Sequence, residues 1–159
     1  MTLVTDAVEP FGDLTWSDSF LLGFGPMDAV HREFVGIVHS MLTCPETELL
    51  AHLKEFERHA EDHFSQELEW MRSTGFPAMQ CHDDEHRAVQ QSVREVIPLV
   101  EAGNVAVGRS LARALADWFP GHADYLDSAL AQWMVKRRTG GVPVVSKRAM
   151  RHSTGAPKA

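Results

Sequence analysis

Four stretches of the chain set apolar residues on one helical face, and each of those faces also carries histidine. The first stripe runs Met27, His31, Phe34, Val38 and Met41 or Leu42, at the i, i+3, i+4, i+7 spacing of an amphipathic helix, and stops before Pro45. The second runs Leu49, Leu53, Phe56, Ala60, His63, Phe64, Glu67 and Met71, with Gly75 placed as its C-cap. The third opens at Pro77 and passes through His82, His86, Val89, Val93, Val96 or Ile97 and Val100 to Gly103 and Asn104. The fourth runs Leu111, Leu115, Trp118, His122, Leu126, Ala129 or Leu130 and Trp133, ending before Gly140 and Gly141. Helices of roughly 17 to 30 residues joined by short breaks favour antiparallel neighbours. The expected fold is therefore all-α, an up-down-up-down antiparallel four-helix bundle over residues 21 to 135. Residues 1 to 20, with Pro10, Gly12 and Trp16, read as an extended N-terminal arm that packs across the bundle. Residues 136 to 159, rich in Gly, Pro, Lys and Arg, read as a flexible basic C-terminal tail.

With 159 residues, 44% of them hydrophobic, the chain can bury a core without disulfide support. Cys44 and Cys81 form neither a disulfide framework nor a CxxC pair, which points to a reducing cytoplasm. The opening segment MTLVTDAVEPFGD lacks the basic start and apolar run of a signal peptide, and no stretch reaches the roughly 18 apolar residues of a membrane span. No integral membrane segment is expected. Residues 1 to 127 hold all 22 acidic residues and 8 basic ones, so the body repels nucleic acid. The remaining 7 basic residues lie in 128 to 159, and their simplest reading is a solvated end.

Nine histidines stand out, and their placement matters more than their number. A bundle normally turns an apolar stripe inward, yet these stripes present His31, then His63 with Glu67, then His82 with His86, then His122. The pairs His63/Glu67 and His82/His86 are four residues apart, about 40° around a helix, so each pair can reach one point. Asp127 follows His122 by five residues, a rotation of about 140°, and joins the same centre only through a bulge or kink, from Pro120 or a π-turn. Burying Glu67 and Asp127 costs several kcal/mol without partners, and no Lys or Arg lies on the stripes to compensate them. A cation resolves the conflict. Five imidazoles and two carboxylates exceed the needs of one tetrahedral zinc but suit two octahedral-preferring ions, for which iron is the natural candidate.

The ordered string Asp28-x-x-His31, His63-Phe64-x-x-Glu67 with Met71, Gly75-Phe76-Pro77, His82-x-x-x-His86 and Trp118-x-x-x-His122-x-x-x-x-Asp127 resembles the hemerythrin family, its bacterial members in particular, over roughly residues 16 to 130. The resemblance implies two non-haem iron ions in an oxo- or hydroxo-bridged di-iron centre. It places one iron on His82, His86 and His122, a second on His31 and His63, and Glu67 and Asp127 as bridges. It further implies that molecular oxygen binds reversibly at a vacancy on the second iron, while apolar walls exclude water and reductants. Phe34, Phe64, Leu126 and Trp118 are candidate walls. The chain departs from the family pattern at Leu68, where a second Glu usually follows the bridging one, and at Pro120-Gly121 before His122. Neither departure removes a ligand.

His59, one turn before His63, falls outside the family pattern and reads as a helix-edge residue; His39, His52 and His152 read as surface residues. Cys81 reads as semi-buried, Cys44 as a loop residue and the four Trp as packing residues. The expected function is oxygen storage or delivery, with no enzymatic activity and an oxygen-consuming enzyme or a signalling protein as partner. The alternatives carried with it are sensing of oxygen, nitric oxide or redox state at the same centre, and a di-iron peroxidase or oxidase.

Overall fold

The computed structural model describes residues 14–138. The helices are α1 (Gly25–Thr43), α2 (Leu49–Thr74), α3 (Met79–Glu101), α4 (Val105–His122) and α5 (Ser128–Arg138). A π-turn, Ala123–Asp127, joins α4 to α5, so the last two helices and the turn form one rod and the bundle has four members. Helix α1 packs on α2 and α4, and α3 packs on the same two, which closes the ring of an antiparallel four-helix bundle.

Local chemistry accounts for the helix ends. Gly75 adopts φ 67°, and the Gly75 and Phe76 amides donate to the Arg72 and Met71 carbonyls, a Schellman arrangement that lays buried Phe76 against buried Met71. Gly103, at φ 100°, ends α3 in the same way, and the Asn104 side chain then accepts the Val107 amide 3.2 Å away to start α4. Helix α3 opens at Met79 and not at Pro77, because the Met79 amide closes a turn onto the Phe76 carbonyl and Phe76 is anchored in the core. The final helix runs through Arg138, three residues past the expected bundle limit. Leu14, Trp16 and Phe20 pack on the core, with a short 3-10 turn at Asp18–Phe20 where an extended arm was expected. The remainder of the arm and the tail from 139 onward lie outside the described residues.

The core falls into two apolar clusters. One, built on Phe34, Phe56, Leu53, Val93, Leu115 and Phe119, fills most of the bundle; the other gathers Phe24, Met27, Met71, Phe76, Leu130 and Ala131 at one end. Along α1 the order is Met27, His31, Phe34; along the last rod it is Phe119, Asp127, Leu130. The polar side chains are therefore sandwiched between two water-excluding plugs. Among the described residues no helix is long and apolar enough to cross a membrane.

Candidate metal centre

All of His31, His63, Glu67, His82, His86, His122 and Asp127 are buried, at 0 to 6% exposure. They form two sets of potential ligands: His82, His86, His122 and Asp127 in one, His31, His63 and Glu67 in the other, with the donor atoms of each set within 4.8 Å of one another. The two i, i+4 pairs converge as their spacing predicts. The five-step pair converges because of the π-turn: the Ser128 amide donates to the Ala123 carbonyl five residues back, absorbing the extra residue that would otherwise swing Asp127 away. Pro120 lies within α4, one turn earlier.

Each carboxylate touches both sets. Asp127 lies 2.9 Å from His82 Nε2 and 3.1 Å from His122 Nε2, and 3.0 Å from His31 Nε2 on the other side. Glu67 lies 2.8 Å from His63 Nε2, 3.8 Å from His82 Nε2 and 3.6 Å from His86 Nε2. Despite these contacts, both oxygens of Glu67 and Asp127 and both ring nitrogens of His31, His63 and His82 are buried without a hydrogen bond among the described residues. Nε2 of His86 faces Nε2 of His122 at 3.0 Å, a close approach of two nitrogens that a neutral pair satisfies only by one donating. Ligand-type atoms crowded this closely, most of them without a hydrogen bond, fit a centre completed by cations.

The electrostatics carry the same conflict. Burial, reinforced by the charge of Asp127, pushes the Glu67 carboxyl well above the usual range. Burial also opposes ionisation of Asp127, but the charge of His122, followed by the close approach of the His122, His31 and His82 imidazoles, outweighs it and holds Asp127 well below its ordinary value. His63 is held well below its ordinary value by burial first and then by His31, and His86 by burial and then His122 and His82. Burial would lower His122 too, yet Asp127 and Glu85 leave it raised. His63 and His86 are thereby held as neutral imidazoles and Asp127 as a carboxylate, the forms in which these groups ligate a metal.

Aromatic rings wall the two sets differently. Phe119 sets its edge on His31 at 5.3 Å, and Phe34 lies 6.2 Å from His63. Phe64 stacks on His86 at 3.9 Å and Trp118 on His122 at 4.2 Å. Of the expected walls, Trp118 and Leu126 also line a surface groove that reaches His122, together with Cys81, Glu85 and Tyr125. Phe119 was missed on the stripe, although it lies four residues after Leu115, as good a helical match as Trp118 at three. Asp28, at the head of the motif, has a structural role: its carboxylate accepts the Leu22 and Gly23 amides at 2.8 and 3.1 Å and ties the entering chain to α1.

His59 belongs to neither set. Its side chain is nearly buried, 5.3 Å from the His63 ring, with Nδ1 3.6 Å from Glu33. His39 and His52 are half-buried, and His152 lies outside the described residues. Cys81 is exposed where a semi-buried thiol was expected, while Cys44 is buried as the C-cap of α1, its carbonyl accepting from Arg109. The four Trp pack as expected, Trp133 also donating to Thr74 Oγ1 at 2.9 Å.

A four-helix bundle with paired histidine–carboxylate clusters between apolar plugs defines a class of metal-binding bundle proteins. The hemerythrin HHE cation binding domain matches residues 23–134, and the chain belongs to the hemerythrin family. It is similar to bacteriohemerythrin from Ralstonia nicotianae, 33% identical over 124 residues that cover 78% of this chain and 90% of that protein. The family binds a di-iron centre, and the His, Glu and Asp clusters of this chain could hold the metal ions.

Proposed function

We propose that the chain binds molecular oxygen reversibly at a di-iron centre, for storage or delivery. His82, His86 and His122 would hold one iron, His31 and His63 the other, with Glu67 and Asp127 spanning both. When bound, the irons supply the electrons that oxygen takes up and returns. The observation that carries the reading is the asymmetry of the two sets: three imidazoles on one side and two on the other leave the His31/His63 side a ligand short. That side faces Phe34 and Phe119, whose apolar rings would exclude water from a bound metal. Glu67 and Asp127, each in contact with imidazoles of both sets, hold the spacing of the centre. Family membership supports oxygen binding ahead of catalysis, and the apolar walls favour retention over turnover.

The test is iron content together with the visible spectrum of the purified protein, taken reduced under nitrogen, then in air, then under nitrogen again. Two irons per chain and a charge-transfer band that comes with air and leaves without it are the expected result. Irreversible oxidation in air would favour redox sensing or catalysis. His122→Ala should lower iron below two per chain; unchanged loading would refute the ligand assignment.

A further inference from the structure

The outward nitrogens of the candidate ligands are not equivalent. Among the described residues, Nδ1 of His31, His63, His82 and His86 is buried without a hydrogen-bond partner. Nδ1 of His122, in contrast, lies 3.2 Å from Oε2 of Glu85 in hydrogen-bonding geometry. Glu85 directly precedes His86 on α3, so its side chain leaves the helix about 100° from the ligand face and crosses to α4. Its side chain is 43% exposed and forms part of the surface groove that also contains Trp118, His122 and Tyr125.

His122 needs such a partner more than the other imidazoles do. It is the last residue before the π-turn and follows Pro120, whose missing amide removes one helix hydrogen bond. Stacking on Trp118 at 4.2 Å restrains the plane of the ring, but a stacked ring still turns in its plane and still has two tautomers. An acceptor at Nδ1 settles both: it keeps the proton on Nδ1 and leaves the Nε2 lone pair directed at Asp127 and His86.

We propose that Glu85 is a positioning residue of the metal centre, accepting the Nδ1–H of His122 and so holding this imidazole in the tautomer that ligates through Nε2. The inference rests on the di-iron reading and adds the group that orients one of its ligands. Glu85→Leu and Glu85→Ala remove the acceptor, one with and one without apolar bulk, whereas Glu85→Gln keeps a neutral acceptor oxygen. Each iron-loaded variant is challenged with a ferrous chelator, and loss of iron is followed beside the wild type; helix content and the unfolding midpoint of the iron-free proteins report the fold. Glu85→Leu and Glu85→Ala should release iron on the order of 10- to 100-fold faster, in two phases with one iron leaving first, while Glu85→Gln stays near the wild type. Wild-type release rates in the Leu and Ala variants would overturn the assignment. Equal acceleration in all three would show that charge, and not the hydrogen bond, matters, and would overturn it as well. Wild-type protein that takes up no iron would refute the di-iron reading itself, and Glu85's role with it.

Discussion

Glu67 shows how a single residue sets function against stability. Its carboxyl is raised well above the ordinary range by burial and then by Asp127. A carboxyl raised in the folded state leaves folding unpenalised below its unfolded pKa and costs stability as pH climbs through the folded value. Glu67→Gln should therefore stabilise the iron-free protein at about pH 8 by on the order of 1–3 kcal/mol, with the gain vanishing near about pH 4. Urea unfolding of the two iron-free proteins at both pH values checks this, and a variant less stable than the wild type at the higher pH contradicts it. The same variant should hold fewer than two irons per chain. That Glu67 belongs to the site is legible from its four-residue step after His63 on an apolar stripe. Glu85 was not legible, because it lies off the stripe and its meaning depends on which helix stands beside α3.

Helix boundaries are legible in the sequence wherever the signal is local. Gly75 and the Gly103-Asn104 pair end helices because positive φ and an Asn cap are properties of the residues themselves. Pro77 misled by two residues, since the anchoring of Phe76 in the core overrides the preference of proline for the first helical turn. The five-residue step from His122 to Asp127 required a distortion, and the choice between a Pro120 kink and a π-turn was made by the fold. Asp124 is exposed within that turn. Deleting it should restore an ordinary α-helical, four-residue step of the kind that already serves His63 and Glu67. The variant should keep two irons and unfold within about 1 kcal/mol of the wild type. Loss of iron would show that the π-turn aims Asp127 in a way a regular helix cannot.

For the whole molecule, the seven buried polar residues are inserted between two apolar clusters, so the iron-free bundle carries uncompensated groups at its centre. Ligands that bind only the folded state stabilise it by mass action, by about 2.7 kcal/mol at a concentration 100 times the dissociation constant. Iron loading should thus raise the unfolding midpoint by roughly 10 °C in this size range, and chelation should reverse the shift. Calorimetry of loaded and chelated protein measures it, and identical midpoints would contradict a buried metal centre. The four helices, the face each buries and the seven ligand-type residues on those faces are legible in the amino-acid sequence. Periodicity, caps and residue chemistry are local quantities, and they can be read along the chain. Which atoms meet follows from helix packing: each carboxylate reaches both histidine sets, Phe119 packs edge-to-face with His31, and Glu85 stands behind His122. Those contacts depend on how each helix is rotated against its neighbours, and that rotation is settled by packing the two apolar clusters together, a property of no single segment.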